Sequence, residues 1–85
     1  MTTLNTKLNT NEQAVLNDLV VSSKKNGHDF GFTDEVTSVK ASAVGAYVAS
    51  LQDKGWIECY TYDPDFEYGF EFTPAACQHL GIVRG

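Results

Sequence analysis

The stretch from Lys40 to Ile57, KASAVGAYVASLQDKGWI, restricts the architecture more than any other part of the chain. Val44, Tyr47, Val48 and Leu51 recur at i, i+3, i+4 and i+7, the spacing of one apolar stripe on a helix. Gly55 stops that helix, and Trp56-Ile57 opens a run that alternates like a strand. A helix that passes through Lys-Gly directly into a hairpin is compatible with few small folds.

Length leaves room for one domain, since the chain has 85 residues. An apolar fraction of 42% suffices for one small core. The net charge is −5, and its distribution matters more than its size. Bases and acids balance over residues 1–32, whereas residues 56–71 hold Glu58, Asp63, Asp65, Glu67 and Glu71 with no base. The acid is concentrated in one hairpin. No apolar run approaches the roughly 20 residues that span a bilayer, and MTTLNTKLNTN lacks the hydrophobic block of a secretory signal. The expectation is a cytoplasmic protein without membrane contact, with Cys59 and Cys77 as reduced thiols.

Taken in order, residues 1–9 read as a flexible tail, residues 10–81 as the domain and residues 82–85 as a second tail. Thr10-Asn11-Glu12-Gln13 fits a capping box with Thr10 at the N-cap. Val15, Leu16, Leu19 and Val20 form the buried stripe of the first helix. Lys24 and Lys25 suit its negative C-terminal end, and Asn26-Gly27 stops it. His28 to Phe32 reads as a short strand able to pair with the later hairpin, with Asp29 bonding backbone amides and Gly31 permitting close approach. Thr33 is expected to cap a second helix over Asp34 to Ser38. Ile57, Cys59 and Thr61 share one strand face, and Glu58, Tyr60 and Tyr62 share the other. Asp63-Pro64-Asp65 is turn chemistry, and Tyr68, Phe70 and Phe72 alternate on the return strand. Thr73-Pro74 caps a last short helix that Gly81 ends.

This order predicts an α+β winged helix-turn-helix: a three-helix core with a β-hairpin wing and a short C-terminal helix. The expected core contains Leu16, Leu19, Val36, Val44, Val48, Leu51, Ile57, Phe70 and Phe72. The domain resembles the DNA-binding domain of MarR-type regulators. The matching residues are Val44, Val48 and Leu51 before Lys54-Gly55-Trp56-Ile57, then Phe72-Thr73 followed by Gly81. The resemblance implies a regulator, bacterial or phage-encoded, whose helix from Lys40 onward meets DNA. Neither end carries the long helices through which members of that family dimerise, so the resemblance leaves a dimer open.

The side chains complicate that implication. The exposed positions of the helix would be Lys40, Ala41, Ser42, Gly45, Ala46 and Ala49, of which Lys40 and Ser42 alone could reach base edges. Lys24 and Lys25 are further phosphate-binding candidates, and the acidic wing would repel phosphates. The expected function is therefore non-catalytic regulation with weak or partner-assisted DNA binding. The alternative is a protein-binding module. There the small face of Ala41, Gly45, Ala46 and Ala49 would admit a close neighbour beside Tyr60, Tyr62 and Phe66 of the wing. An acidic DNA mimic is a third reading.

No arrangement predicts catalysis, a metal or a cofactor. His28, Cys59, Cys77 and His79 are zinc-ligand types without zinc-site spacing. Asp63, Asp65, Glu67 and Gly69 alternate like a calcium loop, but Tyr68 and Pro74 stand where that loop needs Gly and Glu. His28-Asp29 are neighbours in sequence, so they are poorly placed to act as a base and its orienter. No nucleophile elbow, P-loop or dinucleotide turn is present.

Overall fold

A computed structural model describes residues 4–27, 29–60 and 69–82, with the backbone alone described at Tyr60. Expectations for His28, Thr61, Tyr62, Asp63, Pro64, Asp65, Phe66, Glu67 and Tyr68, and for the Tyr60 side chain, lie outside the described residues. Those residues form an α+β fold of three α-helices and a three-stranded antiparallel sheet. The elements are α1 (Thr10–Asn26), β1 (Phe30–Phe32), a 3-10 turn (Thr33–Glu35), α2 (Ala41–Asp53), β2 (Ile57–Tyr60), β3 (Gly69–Phe72) and α3 (Pro74–Leu80). The sheet order is β1-β3-β2, with Gly31 opposite Phe70 and Ile57 opposite Phe72.

The capping box of α1 lies one residue earlier than the sequence suggests. Asn9 is the N-cap: its Oδ1 accepts the Glu12 N–H at 2.8 Å, and Glu12 Oε1 accepts the Asn9 N–H at 3.0 Å. The reason is tertiary, since Glu12 must reach inward to Ser50 and Lys54 of the α2 end. Helix α1 ends at Gly27, whose φ of 154° suits glycine.

The second helix expected over Asp34 to Ser38 is a correction: helical structure there is limited to the 3-10 turn Thr33–Glu35. Val36 is already extended, and Asp18 on α1 accepts the N–H groups of Thr37 at 3.1 Å and Ser38 at 2.9 Å. Those amides are thereby withdrawn from helical bonding. At the last residue of the turn, Glu35 Oε1 accepts bonds from Asn26 Nδ2 at 2.7 Å and Ser22 Oγ at 3.1 Å.

Gly31 is the point of closest approach between β1 and α1. A Cβ there would lie 2.5 Å from Ser22 Oγ and 3.1 Å from the Phe70 ring. Ser22 Oγ, whose proton goes to Glu35, in turn accepts the Phe32 N–H at 3.0 Å, while the Phe30 N–H donates to the Gly27 carbonyl at 3.1 Å. Helix α1 thus closes the outer edge of β1, which would otherwise offer free backbone groups.

The core joins Leu16, Leu19, Val36, Val48, Leu51, Ile57, Phe70 and Phe72 to Val15, Trp56, Ala76 and Cys77. Val44 is half-buried and packs against it rather than within it. The Phe70 and Phe72 rings meet edge to face, with centroids 5.3 Å apart. Residues 4–9, expected to belong to a flexible tail, make specific contacts. Trp56 Nε1 donates to the Asn5 carbonyl at 2.8 Å, the Asn5 N–H donates to the Lys54 carbonyl at 2.9 Å, and Leu4 and Leu8 pack on the core. Thr73 caps α3 through the Ala76 N–H, Pro74 opens it, and Gly81 ends it at φ 71°.

Candidate functional site

Helix α2 is anchored from behind. Leu51 and Val48 enter the core, Tyr47 OH accepts a bond from Asn11 Nδ2 at 2.7 Å, and Gly55 turns the chain at φ 84°. There the Trp56 N–H reaches back to the Leu51 carbonyl at 3.0 Å, fixing where the helix gives way to β2. Ala41, Ser42, Gly45, Ala46 and Ala49 are all exposed on the opposite side, together with Lys40 at the N-cap. No side chain caps the N-terminus of α2.

Gly45 has no structural reason to be glycine. A Cβ there would meet no atom within 4 Å, and the residue lies inside a helix, where glycine costs about 0.5–1 kcal/mol relative to alanine. Gly45→Ala is therefore expected to raise the unfolding free energy by about that amount in a urea titration. An unchanged or lowered midpoint would mean that α2 is not helical through Gly45. Beside this face runs a groove of about 440 Å³, lined among the described residues by Val36, Ala41, Val44, Gly45, Cys59 and Gly69, with others. Burial pushes the Cys59 thiol pKa upward, which keeps it protonated and weakly nucleophilic.

The cations divide into two groups. Lys25 pairs with Glu35 at 3.2 Å, and Lys54 pairs with Glu12 at 2.7 Å while also donating to the Lys7 carbonyl at 2.9 Å. Lys7, Lys24 and Lys40 are exposed and belong to neither of these pairs. Of the four nucleic-acid candidates, Lys40 and Ser42 lie together at the start of α2, whereas Lys24 and Lys25 lie at the end of α1. Of the partner-binding candidates, Ala41, Gly45, Ala46 and Ala49 form one face, Tyr60 belongs to β2, and Tyr62 and Phe66 fall outside the described residues.

Sequence reasoning assigned no role to Glu12, although it is 4% exposed and ties three segments together. Its pKa is lowered from an ordinary 4.5 to about 2 by the Asn9 backbone N–H, then by Lys54 and Ser50, against the opposing effect of burial. Asp29 is buried, and its carbonyl accepts the Phe72 N–H at 2.8 Å, which extends the β1–β3 pairing. Cys77 is buried with Sγ 4.0 Å from the Phe72 carbonyl, and His79 meets the Trp56 ring edge-on at 5.4 Å. Among the described residues no group of three His, Cys, Asp or Glu side chains is placed to hold a metal ion. No helix there is long and apolar enough to cross a membrane.

No model of a known protein family matches the chain, and no curated protein or solved structure matches it either. The class that the fold defines is a small α+β domain that presents one smooth, exposed helix face.

Proposed function

We propose that the chain is a non-catalytic winged-helix regulator in which α2 is the recognition helix and the β2–β3 hairpin is the wing, associating with DNA weakly or with a partner's help. The observation that carries this reading is α2 itself. Its back is held by Leu51, Val48 and Tyr47, while its uncapped N-terminus and Lys40 face outward. A helix N-terminus carries partial positive charge and favours phosphate. The weakness follows from the cations, because Lys25 and Lys54 are committed to Glu35 and Glu12. Among the described residues Lys7, Lys24 and Lys40 remain, so no more than about three phosphates would be neutralised, and log K should fall against log salt with a slope no steeper than about −3.

Titration of random duplex DNA across a salt series tests this. Binding with that shallow slope, reduced about tenfold or more in Lys40→Glu, is the expected result. Binding that ignores both salt and Lys40→Glu would overturn it. A second reading, a protein-binding module that uses the same helix, is favoured by Gly45, whose missing side chain serves no internal packing. The absence of any DNA binding at low salt would select that reading, and Gly45→Ala would then weaken capture of the protein partner while stabilising the fold.

A further inference from the structure

We infer that Asn26 is a self-modification site: while the end of α1 is open, the Gly27 backbone nitrogen converts its side-chain amide to aspartate or isoaspartate, and the product keeps that end open. The inference concerns the chain's own chemistry and stands whether or not α2 meets DNA.

The sequence supplies the reactive pair. Asn26 is the one asparagine of the chain that a glycine follows. Ring closure needs the next backbone nitrogen to reach the side-chain carbonyl carbon, and glycine, which has no Cβ, gives that approach the most freedom. The Gly27 nitrogen loses its proton and forms a bond to Asn26 Cγ. The Cγ–Nδ2 bond breaks, and the amide nitrogen takes up a proton and leaves as ammonia. Water then opens the resulting succinimide at either carbonyl, giving aspartate or isoaspartate at position 26. The only co-reactant is water, and nothing is oxidised or reduced.

The fold withholds each requirement of that reaction. Asn26 is the last residue of α1, and its side chain turns back along the helix. Nδ2 donates to the Ser22 carbonyl at 2.9 Å and to Glu35 Oε1 at 2.7 Å, which occupies both of its hydrogens. The amide is thus drawn toward the preceding turn and away from Gly27. The Gly27 N–H donates to the Ser23 carbonyl at 2.8 Å, so the attacking nitrogen is held against the helix as well. On its other side Gly27 is fixed by the Phe30 N–H, bonded to its carbonyl at 3.1 Å, and by the Phe30 ring, which a Cβ would approach to 2.4 Å. Attack therefore waits for this clasp to open. Helix ends open locally at lower cost than core segments do, and Lys24 and Lys25 in the same turn are exposed.

The product cannot close the clasp again. A carboxylate at position 26 has no hydrogen to donate, and it sets negative oxygen against the Ser22 carbonyl and the Glu35 carboxylate. Isoaspartate also adds a methylene to the main chain, so Gly27 loses its register with Ser23 and Phe30. The clasp joins α1 to the 3-10 turn that leads into the core residue Val36, so its loss loosens that connection. Chemical marking of an open state is irreversible and draws the population toward it.

The test is mass spectrometry of the full chain incubated in mildly alkaline buffer, with peptide mapping of position 26. In guanidinium chloride the amide should convert at least about tenfold faster than in native buffer. Gly27→Ala in the same denaturant should slow conversion several-fold, which ties the reaction to this pair. Glu35→Ala releases one bond of the clasp and should speed conversion several-fold in native buffer. Asp18→Ala loosens the same connection at Thr37 and Ser38 without touching Asn26, and should stay within about twofold of wild type. Asn26→Asp is the product in pure form and should melt below both wild type and Asn26→Ala, which loses the same bonds without adding a charge. Equal rates in native buffer and denaturant would overturn the proposal. Equal acceleration by Asp18→Ala and Glu35→Ala would do so too, by assigning the protection to overall stability, as would an Asn26→Asp chain that melts with wild type.

Discussion

Leu51→Ala is expected to lower the unfolding free energy by about 2–5 kcal/mol, measured by urea or thermal melting. Leu51 is 0% exposed, and its carbonyl accepts the Trp56 N–H at 3.0 Å, so it is both a core side chain and the backbone anchor of the turn into β2. Truncation to alanine removes apolar contacts and leaves a cavity that the surrounding core can fill only in part. Small domains are stable by about 5–15 kcal/mol, so a loss of this size takes a large share of the total. The outer face of α2 lies on the opposite side, so the folded fraction of the variant should present that face unchanged. A full, undiminished melt would show that the register of α2 is wrong.

Lys54→Met is expected to destabilise the domain strongly and to flatten its dependence on acid. Glu12 is buried, and its charge is held by the Asn9 N–H, Lys54 and Ser50. Removal of Lys54 leaves a carboxylate in the interior with its cation gone, the costly way to break a buried pair. The pH dependence has a definite sign. The folded-state pKa of Glu12 is about 2 against an ordinary 4.5, so the folded protein binds this proton less readily than the unfolded chain. Its contribution is complete above the ordinary value and is lost as pH falls from there toward the folded value. Glu35 shifts the same way, chiefly through Asn26, with burial opposing and Lys25 and Ser22 adding to it. For Asp18 burial opposes the shift, but the bonds from Ser38 and Thr37 outweigh it.

Urea midpoints followed from about pH 6 to about pH 3 should therefore decline in the wild type. In Glu12→Gln the decline should be shallower, with the remainder due to Asp18 and Glu35. In Lys54→Met the folded pKa of Glu12 rises toward the ordinary value, so this site's share of the decline shrinks as well, from a lower starting stability. A Glu12→Gln variant that kept the full wild-type slope would remove Glu12 from the account.

The electrostatic pattern bears on function as well as stability. Lysines that look available along the chain are partly spent within it: Lys54 on Glu12, and Lys25 on Glu35. The sequence shows six bases against eleven acids, but it does not show which bases remain for a partner. The structure leaves Lys40 exposed at the start of α2, Lys7 exposed near its end and Lys24 exposed in the last turn of α1.

Local chemistry determined much of this protein. The 3.6-residue stripes placed α1 and α2, the alternation after Gly55 placed β2 and β3, and Thr73-Pro74 with Gly81 bounded α3. These features are readable because each depends on residues within one or two turns of each other. The exposed face of α2 was legible for the same reason: the buried stripe dictates its opposite. Tertiary contact decided the rest. Asn9 took the cap from Thr10 because Glu12 is drawn toward Lys54, forty-two positions along the chain. Asp18 reached across to Thr37 and Ser38 and reduced an expected helix to a single 3-10 turn. Trp56 fastened Asn5, so part of an expected tail became packed structure. The bond from Asn26 to Glu35 joins residues nine positions apart, across the end of α1 and a 3-10 turn, which no local pattern encodes. In every case a polar group found a partner far away in sequence, and a buried polar group is held wherever its partner lies.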